Sequence, residues 1–226
     1  MIAALKRDFK IIALDCRGHG GSGKPHDPKK YGVEMANDVG RLLDHLKIDK
    51  AHVVGWSMGS HIALSFAVHH PQRVRTVTLG GSSGINRDRK DLMLAVADSL
   101  EKGNGIGLVI LDLTPKNQPK PTPEALKRIN DAFHTVNDAK ALAAVCRGAA
   151  RDMLSDKQVE GVRVPTLAII GADDPLRVGV DQLKKLLPRT KVVVIDKADH
   201  WTAITRPELV SGLKQFFDDN RQPPIK

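Results

Sequence analysis

The chain has 226 residues, of which 41% are hydrophobic and 27% are charged, a composition typical of one globular domain with room for an inserted subdomain. No apolar run approaches the length of a membrane span, and Lys6 and Arg7 interrupt the apolar core that a signal peptide needs, so a cytoplasmic location is the default prediction. The net charge is +9, but the basic residues are scattered and aromatic residues make up only 4%, which argues against a nucleic-acid partner.

Strands and helices alternate in the first third of the chain. Residues 10–14 form a short apolar run that predicts a buried parallel strand, and the glycine-rich residues 15–25 predict the loop after it. The elements predicted next are, in order, a helix over 33–46, a strand over 51–56, a helix over 57–70 and a strand over 74–79. This alternation indicates parallel strands joined by helical crossovers.

The rhythm changes over residues 85–161, where helical stripes dominate and only 108–111 reads as a possible strand. The parallel pattern then resumes with a strand over 164–170, a helix over 176–187, a strand over 191–195 and a helix over 207–217. The prediction is an α/β fold: a mostly parallel sheet with helices on both faces, formed by residues 1–84 and 162–226, and a helical cap insertion formed by 85–161.

A short motif, Gly55-x-Ser57-x-Gly59, lies between an apolar strand and an apolar-periodic helix. In that context it predicts a sharp turn that exposes the hydroxyl of Ser57 as a nucleophile. We expect that a Cβ at position 55 or 59 would collide with neighbouring backbone and that Ser57 has a strained conformation. The helix that follows directs its N-terminal N–H groups toward the same point.

Acidic residues and a histidine follow the two later strands of the predicted sheet. Asp173 and Asp174 come after the strand over 164–170, and Asp199 and His200 come after the strand over 191–195. Open parallel sheets bind ligands at the carboxyl ends of their strands, where all these residues lie. A serine needs a histidine base whose tautomer is fixed by a carboxylate, and the chain supplies serine, aspartate and histidine in that order.

The sequence resembles the α/β-hydrolase superfamily, and the resemblance covers nearly the whole chain. The segments that carry it are Asp15-x-Arg17-Gly18-His19-Gly20-x-Ser22, Gly55-x-Ser57-x-Gly59, Gly171-x-x-Asp174-Pro175 and Asp199-His200. The resemblance implies the family's fold, with its variable helical cap at the insertion, and acyl transfer to water as the activity. A serine in place of an aspartate at the nucleophile position argues against dehalogenase and epoxide hydrolase chemistry.

Site roles follow from the resemblance by position. Ser57 is the expected nucleophile, Asp174 the orienting acid, His200 the general base, and the backbone N–H of Met58 one oxyanion donor. The family's Gly-x-x-Asp spacing favours Asp174 over Asp173 as the acid.

The residues around these positions allow more than one role. Trp56 and Trp201 flank the catalytic candidates, where they either line an acyl pocket or serve in packing. Arg17 and His19 are expected to organise their loop. Cys16 and Cys146 are interpreted as small buried apolar residues, and no metal site or cofactor is predicted.

The front of the chain departs from the family pattern. The family has three strands before the one predicted at residues 10–14, and its second oxyanion donor comes from a loop after the third of them. His19-Gly20-Gly21 lies one strand too late to be that loop. The expectation is that Met1 is an internal start of a longer protein, upstream of which a signal peptide is then possible. The predicted strands at 10–14 and 51–56 are expected either to pair directly or to leave buried amides unpaired, and each unpaired amide costs about 1–3 kcal/mol.

The first hypothesis is therefore a serine hydrolase that cleaves a small carboxylic ester or lactone through an acyl intermediate on Ser57. C–C bond hydrolases, perhydrolases and acyltransferases use the same triad and are close alternatives. The second hypothesis is a truncated, catalytically impaired fragment or binding module, because loss of one oxyanion donor costs about a hundredfold or more in turnover. The expected partner is a small ester-like molecule, with no membrane partner, and the sequence leaves the oligomeric state open.

Overall fold

The computed structural model describes residues 2–85 and 87–221 of the chain. The predicted sheet domain (1–84 and 162–226) and the predicted cap (85–161) also contain residues 1, 86 and 222–226, which lie outside the described residues. The strands are β1 (Ala51–Trp56), β2 (Val74–Gly80), β3 (Thr166–Gly171) and β4 (Lys191–Ile195). The helices are α1 (Ile2–Leu5), α2 (Val33–His45), α3 (Met58–His69), α4 (Lys90–Glu101), α5 (Gly107–Asp112), α6 (Pro123–Val136), α7 (Ala139–Arg151), α8 (Asp156–Glu160), α9 (Arg177–Leu186) and α10 (Pro207–Asp219).

The four strands form one sheet in the order β1-β2-β3-β4, and all three pairings are parallel. Consecutive strands are therefore neighbours, joined by crossovers that contain helices. The register places Gly55 opposite Leu79, and Gly80 opposite Ile169. The carboxyl ends of all four strands thus meet at one edge of the sheet, which confirms the predicted fold class.

The chain divides into two compact units, and the first contains the sheet. It comprises Met1–Ala13, Gly40–Ile85 and Ser155–Lys226. In this unit α3 packs on β1 and β2, α9 packs on β3, and α10 packs on β3 and β4. Leu209, Leu213 and Phe217 on the apolar face of α10 form one buried core cluster with Leu167 and Ile169 of β3.

The second compact unit comprises Leu14–Val39 and Asn86–Leu154 and is helical. Its largest contact joins α4 to α7. Arg147 of α7 binds Asp98 and Glu101 of α4 at 2.7 and 2.8 Å, and this partly exposed pairing fixes the relative register of the two helices. The predicted cap, residues 85–161, shares most of its length with this unit, and its role as a cap stays a prediction.

Two predicted strands are not strands in the structure. Residues 10–14 belong to no ladder and expose Ile11 and Ile12 by 36% and 37%. A strand exists only where a neighbour completes its hydrogen bonds, and in the described residues β1 pairs with β2 alone. Of the two alternatives expected for residues 10–14, direct pairing with β1 is therefore not observed. Residues 108–111 lie in α5, because a short apolar run has the same pattern in a helix and in a strand.

No helix within residues 2–85 and 87–221 is both long enough and apolar enough to cross a lipid bilayer.

Candidate active site

Ser57 lies at the tip of a sharp turn between β1 and α3. Its backbone has φ 54° and ψ −114°, a region that side chains larger than glycine rarely adopt and that costs about 1–3 kcal/mol. The strained turn ends the strand and starts the helix within one residue. A Cβ at Gly55 would lie 1.9 Å from the carbonyl oxygen of Gly59, so glycine is required at position 55. The same expectation for position 59 is wrong, since a Cβ there would meet nothing within 4 Å.

The turn is tied to the end of the neighbouring strand β2. The N–H of Ser57 donates a 2.7 Å hydrogen bond to the carbonyl of Gly80. The hydroxyl of Ser60, one turn into α3 and fully buried, lies 2.9 Å from the same carbonyl and 3.1 Å from that of Gly55. These bonds hold the nucleophile candidate in a fixed place relative to the sheet, which compensates for the backbone strain.

The structure brings Ser57, His200 and Asp174 together in a chain of hydrogen bonds. The Nε2 atom of His200 lies 3.0 Å from the Ser57 hydroxyl oxygen. The Nδ1 atom of the same ring lies 2.9 Å from a carboxylate oxygen of Asp174. The side chains of His200 and Asp174 are 2% and 0% exposed, so their contact lies away from bulk water, while the contact with Ser57 is part-buried. In such surroundings a hydrogen bond is electrostatically stronger than in water.

Asp174 is held in place from its other side. Its second carboxylate oxygen accepts the N–H of Leu176 at 2.9 Å, just before α9 begins. The preceding residue, Asp173, has an exposed side chain, and its backbone N–H donates to the carbonyl of Ala198. Of the two candidate acids, the structure places only Asp174 against His200.

The loop that carries His200 is organised by its neighbour Asp199. One carboxylate oxygen of Asp199 accepts the N–H of Trp201 at 3.1 Å and the N–H of Thr202 at 2.9 Å. The hydroxyl of Thr202 accepts the Asp199 N–H at 2.9 Å. This local network fixes the backbone on both sides of His200 and leaves its ring free to face the serine.

Comparisons with known proteins indicate the same fold class. The sequence model of the alpha/beta hydrolase fold matches residues 1–106. The chain is 29% identical over 214 residues to 3-oxoadipate enol-lactonase 1 of Acinetobacter baylyi, an alignment that spans 92% of this chain and 77% of that one. It is also 29% identical over 210 residues to 2-hydroxy-6-oxo-2,4-heptadienoate hydrolase of Pseudomonas putida, spanning 88% and 75% of the two chains.

Among solved structures, a thermophilic esterase from Thermogutta terrifontis superposes with a TM-score of 0.78 at 23% identity, covering 98% of this chain and 84% of that one. The chain has the α/β-hydrolase fold, and its sequence is similar to that superfamily. It is an enzyme of the hydrolase class.

In this α/β-hydrolase the expected oxyanion donor, Met58, is the first residue of α3. The N–H groups of a helix's first turn have no acceptor within the helix, and the helix dipole adds positive charge at the same end. The Met58 N–H therefore belongs to the first turn of α3, directly after Ser57, and its role as an oxyanion donor stays a prediction.

The two tryptophans have different surroundings in the structure. Trp56 packs against the core cluster under the sheet and against the backbone of Gly80, with its ring centroid 6.0 Å from that of His200. Trp201 meets His200 edge to face at 5.5 Å and is 49% exposed. Only Trp201 thus presents a broad apolar surface to solvent beside the triad.

The other singled-out residues make contacts within the second unit. Arg17 binds the Asp38 carboxylate through two 2.6 Å hydrogen bonds, and the ring of His19 lies 3.2 Å from the Arg17 carbonyl, as expected of residues that organise a loop. Both cysteines are free thiols. Each is only partly buried, whereas the sequence predicted buried side chains. Burial raises the pKa of the Cys146 thiol to about 11, so that this group is uncharged at neutral pH and a poor nucleophile.

In the described part of the chain, no three or more acidic, cysteine or histidine side chains are grouped closely enough to hold a metal ion.

Sequence reasoning did not identify the end of β2 as part of the site. Gly80 ends β2 and Gly81 follows it, at the same sheet edge as the triad. The available signal was the pair of adjacent glycines at a strand's carboxyl end, which indicates close approach of backbone to another group. The contacts of Ser60 and Leu176 left no signal in the sequence, because small polar and leucine residues occur at helix starts for many reasons.

Proposed function

We propose that this α/β-hydrolase cleaves a small carboxylic ester or lactone through an acyl intermediate on Ser57. The observation that carries the proposal is the hydrogen-bond chain from the buried Asp174 through the buried His200 to Ser57. A serine hydroxyl is a weak nucleophile unless a base takes its proton, and here the base is itself oriented by a carboxylate.

Each step of the reaction has a group in place. The Nε2 atom of His200 accepts the Ser57 proton as the serine oxygen bonds to the substrate carbonyl carbon, and Asp174 stabilises the imidazolium that results. The Met58 N–H binds the oxyanion. His200 then gives the proton to the leaving alkoxide, which departs as an alcohol. A water molecule, deprotonated by the same ring, attacks the acyl-serine and releases the acid, with Ser57 regaining its proton.

The named relatives support this substrate class. The relative from Acinetobacter baylyi is named as an enol-lactonase, and a lactone is a cyclic ester. With a lactone the protonated leaving oxygen stays attached to the acyl group, and both leave together when water releases the acid. A second candidate is hydrolysis of a carbon–carbon bond beside a ketone. It is favoured by the relative from Pseudomonas putida, which is named for a 6-oxo acid that contains no ester bond.

The test of the proposal is turnover of a short-chain p-nitrophenyl ester and of a small lactone by the full chain. We expect hydrolysis of at least one of them and a loss of kcat of about a thousandfold or more in His200→Ala, because the serine then has no base. His69→Ala is the matched control, since His69 is an exposed residue of α3 that does not contact the triad, and it should retain the wild-type rate. Absence of turnover, or turnover unaffected by His200→Ala, would contradict the proposal and favour a binding module.

Trp201 is expected to contact the acyl part of the substrate. Its ring is half-exposed and lies against His200, so Trp201→Ala should raise KM by about tenfold while kcat changes by about twofold or less, the loss corresponding to about 1.4 kcal/mol of binding. Steady-state kinetics with esters of increasing acyl size measure this. Val178→Ala is the control, because Val178 is 59% exposed at the start of α9. An unchanged KM in Trp201→Ala would show that the ring has only a packing role.

A further inference from the structure

Gly81, the residue after β2, lies between the indole of Trp56 and the ring of His200. Its backbone has φ +62°. A Cβ at this position would lie 2.8 and 2.9 Å from Cε2 and Cζ2 of Trp56 and 3.1 Å from Cε1 of His200. The two distances to Trp56 are shorter than the contacts that Cβ atoms make in proteins, and the distance to His200 is shorter than most of them. Trp56, Gly81 and His200 therefore form a stack without space for one more carbon atom.

The atom of His200 that faces Gly81 is the ring carbon between the two nitrogens. Nε2 on one side of it lies 3.0 Å from Ser57, and Nδ1 on the other side lies 2.9 Å from Asp174. A push on Cε1 displaces both nitrogens together. It therefore lengthens both hydrogen bonds of the triad at once.

The backbone of Gly81 has no freedom to move away from the ring. Its N–H donates a 2.9 Å hydrogen bond to the carbonyl of Ile169 on the central strand β3. The carbonyl of the preceding Gly80 accepts the N–H of Ser57 at 2.7 Å. Retreat of this segment would break the tie to the sheet and disturb the nucleophile as well.

Trp56 is similarly unable to move. Its benzene ring lies against Gly80, where a Cβ would be 2.5 Å from Cε3, and the side chain packs on the core beneath the sheet. The imidazole of His200, which is held by two hydrogen bonds at its edge, is the part of the stack that gives way first.

We propose that Gly81 is a positioning residue for His200: its bare backbone, backed by Trp56, sets the depth at which the imidazole lies between Ser57 and Asp174. This inference rests on the proposed function for its catalytic meaning, while the geometry stands without it. It also assigns Trp56 to support of the triad instead of to the substrate pocket.

The test is Gly81→Ala in the full chain. We expect kcat to fall by about tenfold or more with KM within about twofold, because displaced catalytic groups affect the chemical step more than binding. In protein labelled with nitrogen-15 histidine, the Nδ1 proton signal of His200, identified by its loss in His200→Ala, should move upfield or disappear. The double variant Gly81→Ala with Trp56→Phe should recover both kcat and the signal, since phenylalanine lacks the outer ring that the new Cβ meets.

The matched control is Gly103→Ala. Gly103 has φ +75° and nothing within 4 Å of its Cβ position, so the substitution imposes the same kind of backbone strain without a new contact. Both single variants should lower Tm, and only Gly81→Ala should change kcat and the His200 signal.

Three results would overturn the inference: an unchanged His200 signal in Gly81→Ala, the same changes in Gly103→Ala, or no recovery in the double variant. An inactive wild-type enzyme would contradict the proposed function alone, because the histidine signal reports the ring position without turnover.

Discussion

Replacement of Ser57 by alanine is expected to abolish reaction of the protein with a fluorophosphonate probe and to lower ester turnover by about ten-thousandfold or more. The serine oxygen is the atom that forms the bond to the acyl group, and alanine removes it while the turn, the helix and the His200–Asp174 pair remain. Covalent labelling followed by intact-protein mass spectrometry measures the first effect. Steady-state kinetics on a p-nitrophenyl ester measures the second.

The control for this prediction is Ser65→Ala. Ser65 lies two turns further along α3, and its hydroxyl contacts His69 instead of the triad. This variant should label and turn over as the wild type does. Equal labelling of wild type and Ser57→Ala would show that the probe reacts elsewhere and that the strained turn has another purpose.

The sheet was predictable because each strand is a short, largely apolar run bounded by turn residues. Three of these runs, at 51–56, 74–79 and 191–195, match β1, β2 and β4 within one residue, although only β2 and β3 are buried along most of their length. Helix limits were also well marked: Pro207 begins α10, and His70-Pro71 follows α3. In each case a local rule and the fold require the same residue.

The failure at residues 10–14 has a different physical origin. The run has the composition of a buried strand, but a strand is a property of a pair, and in the described residues β1 has a partner only on its other side. Composition reports how apolar a segment is and not whether a neighbour exists. The resulting structure leaves Ile11, Ile12 and Val54 about one third to two fifths exposed in the unit that holds the sheet.

The candidate site was predictable as far as its reacting groups. Serine, aspartate and histidine follow β1, β3 and β4, and parallel strands bring their carboxyl ends to one edge, so the three side chains were expected at the same edge of the sheet. The supports were not predictable. Gly81 and Ser60 contact segments that are 20 residues or more away in the chain. The effect of these contacts depends on differences of a few tenths of an ångström in distance, which no residue type encodes.

Asp174→Asn is the second substitution with a large expected effect, because it reverses the tautomer of His200. The oxygen of Asp174 that accepts the Leu176 N–H keeps that bond as the amide oxygen of asparagine, so the new NH₂ group faces Nδ1 of His200. Nδ1 must then accept a hydrogen bond, and the ring proton moves to Nε2. A protonated Nε2 cannot take the proton of Ser57, and kcat should fall by about a thousandfold or more.

The neighbouring residue supplies the control for this prediction. Asp173→Asn makes the same chemical change one position away, on an exposed side chain, and should leave kcat within about twofold of the wild type. Thermal unfolding of both variants separates loss of structure from loss of the base, since the amide retains the volume of the carboxylate. A larger loss of kcat in Asp173→Asn than in Asp174→Asn would transfer the orienting role to Asp173. A larger loss of kcat in Asp174→Asn would identify Asp174 as the orienting acid on the basis of its contact with His200, independently of the family's Gly-x-x-Asp spacing.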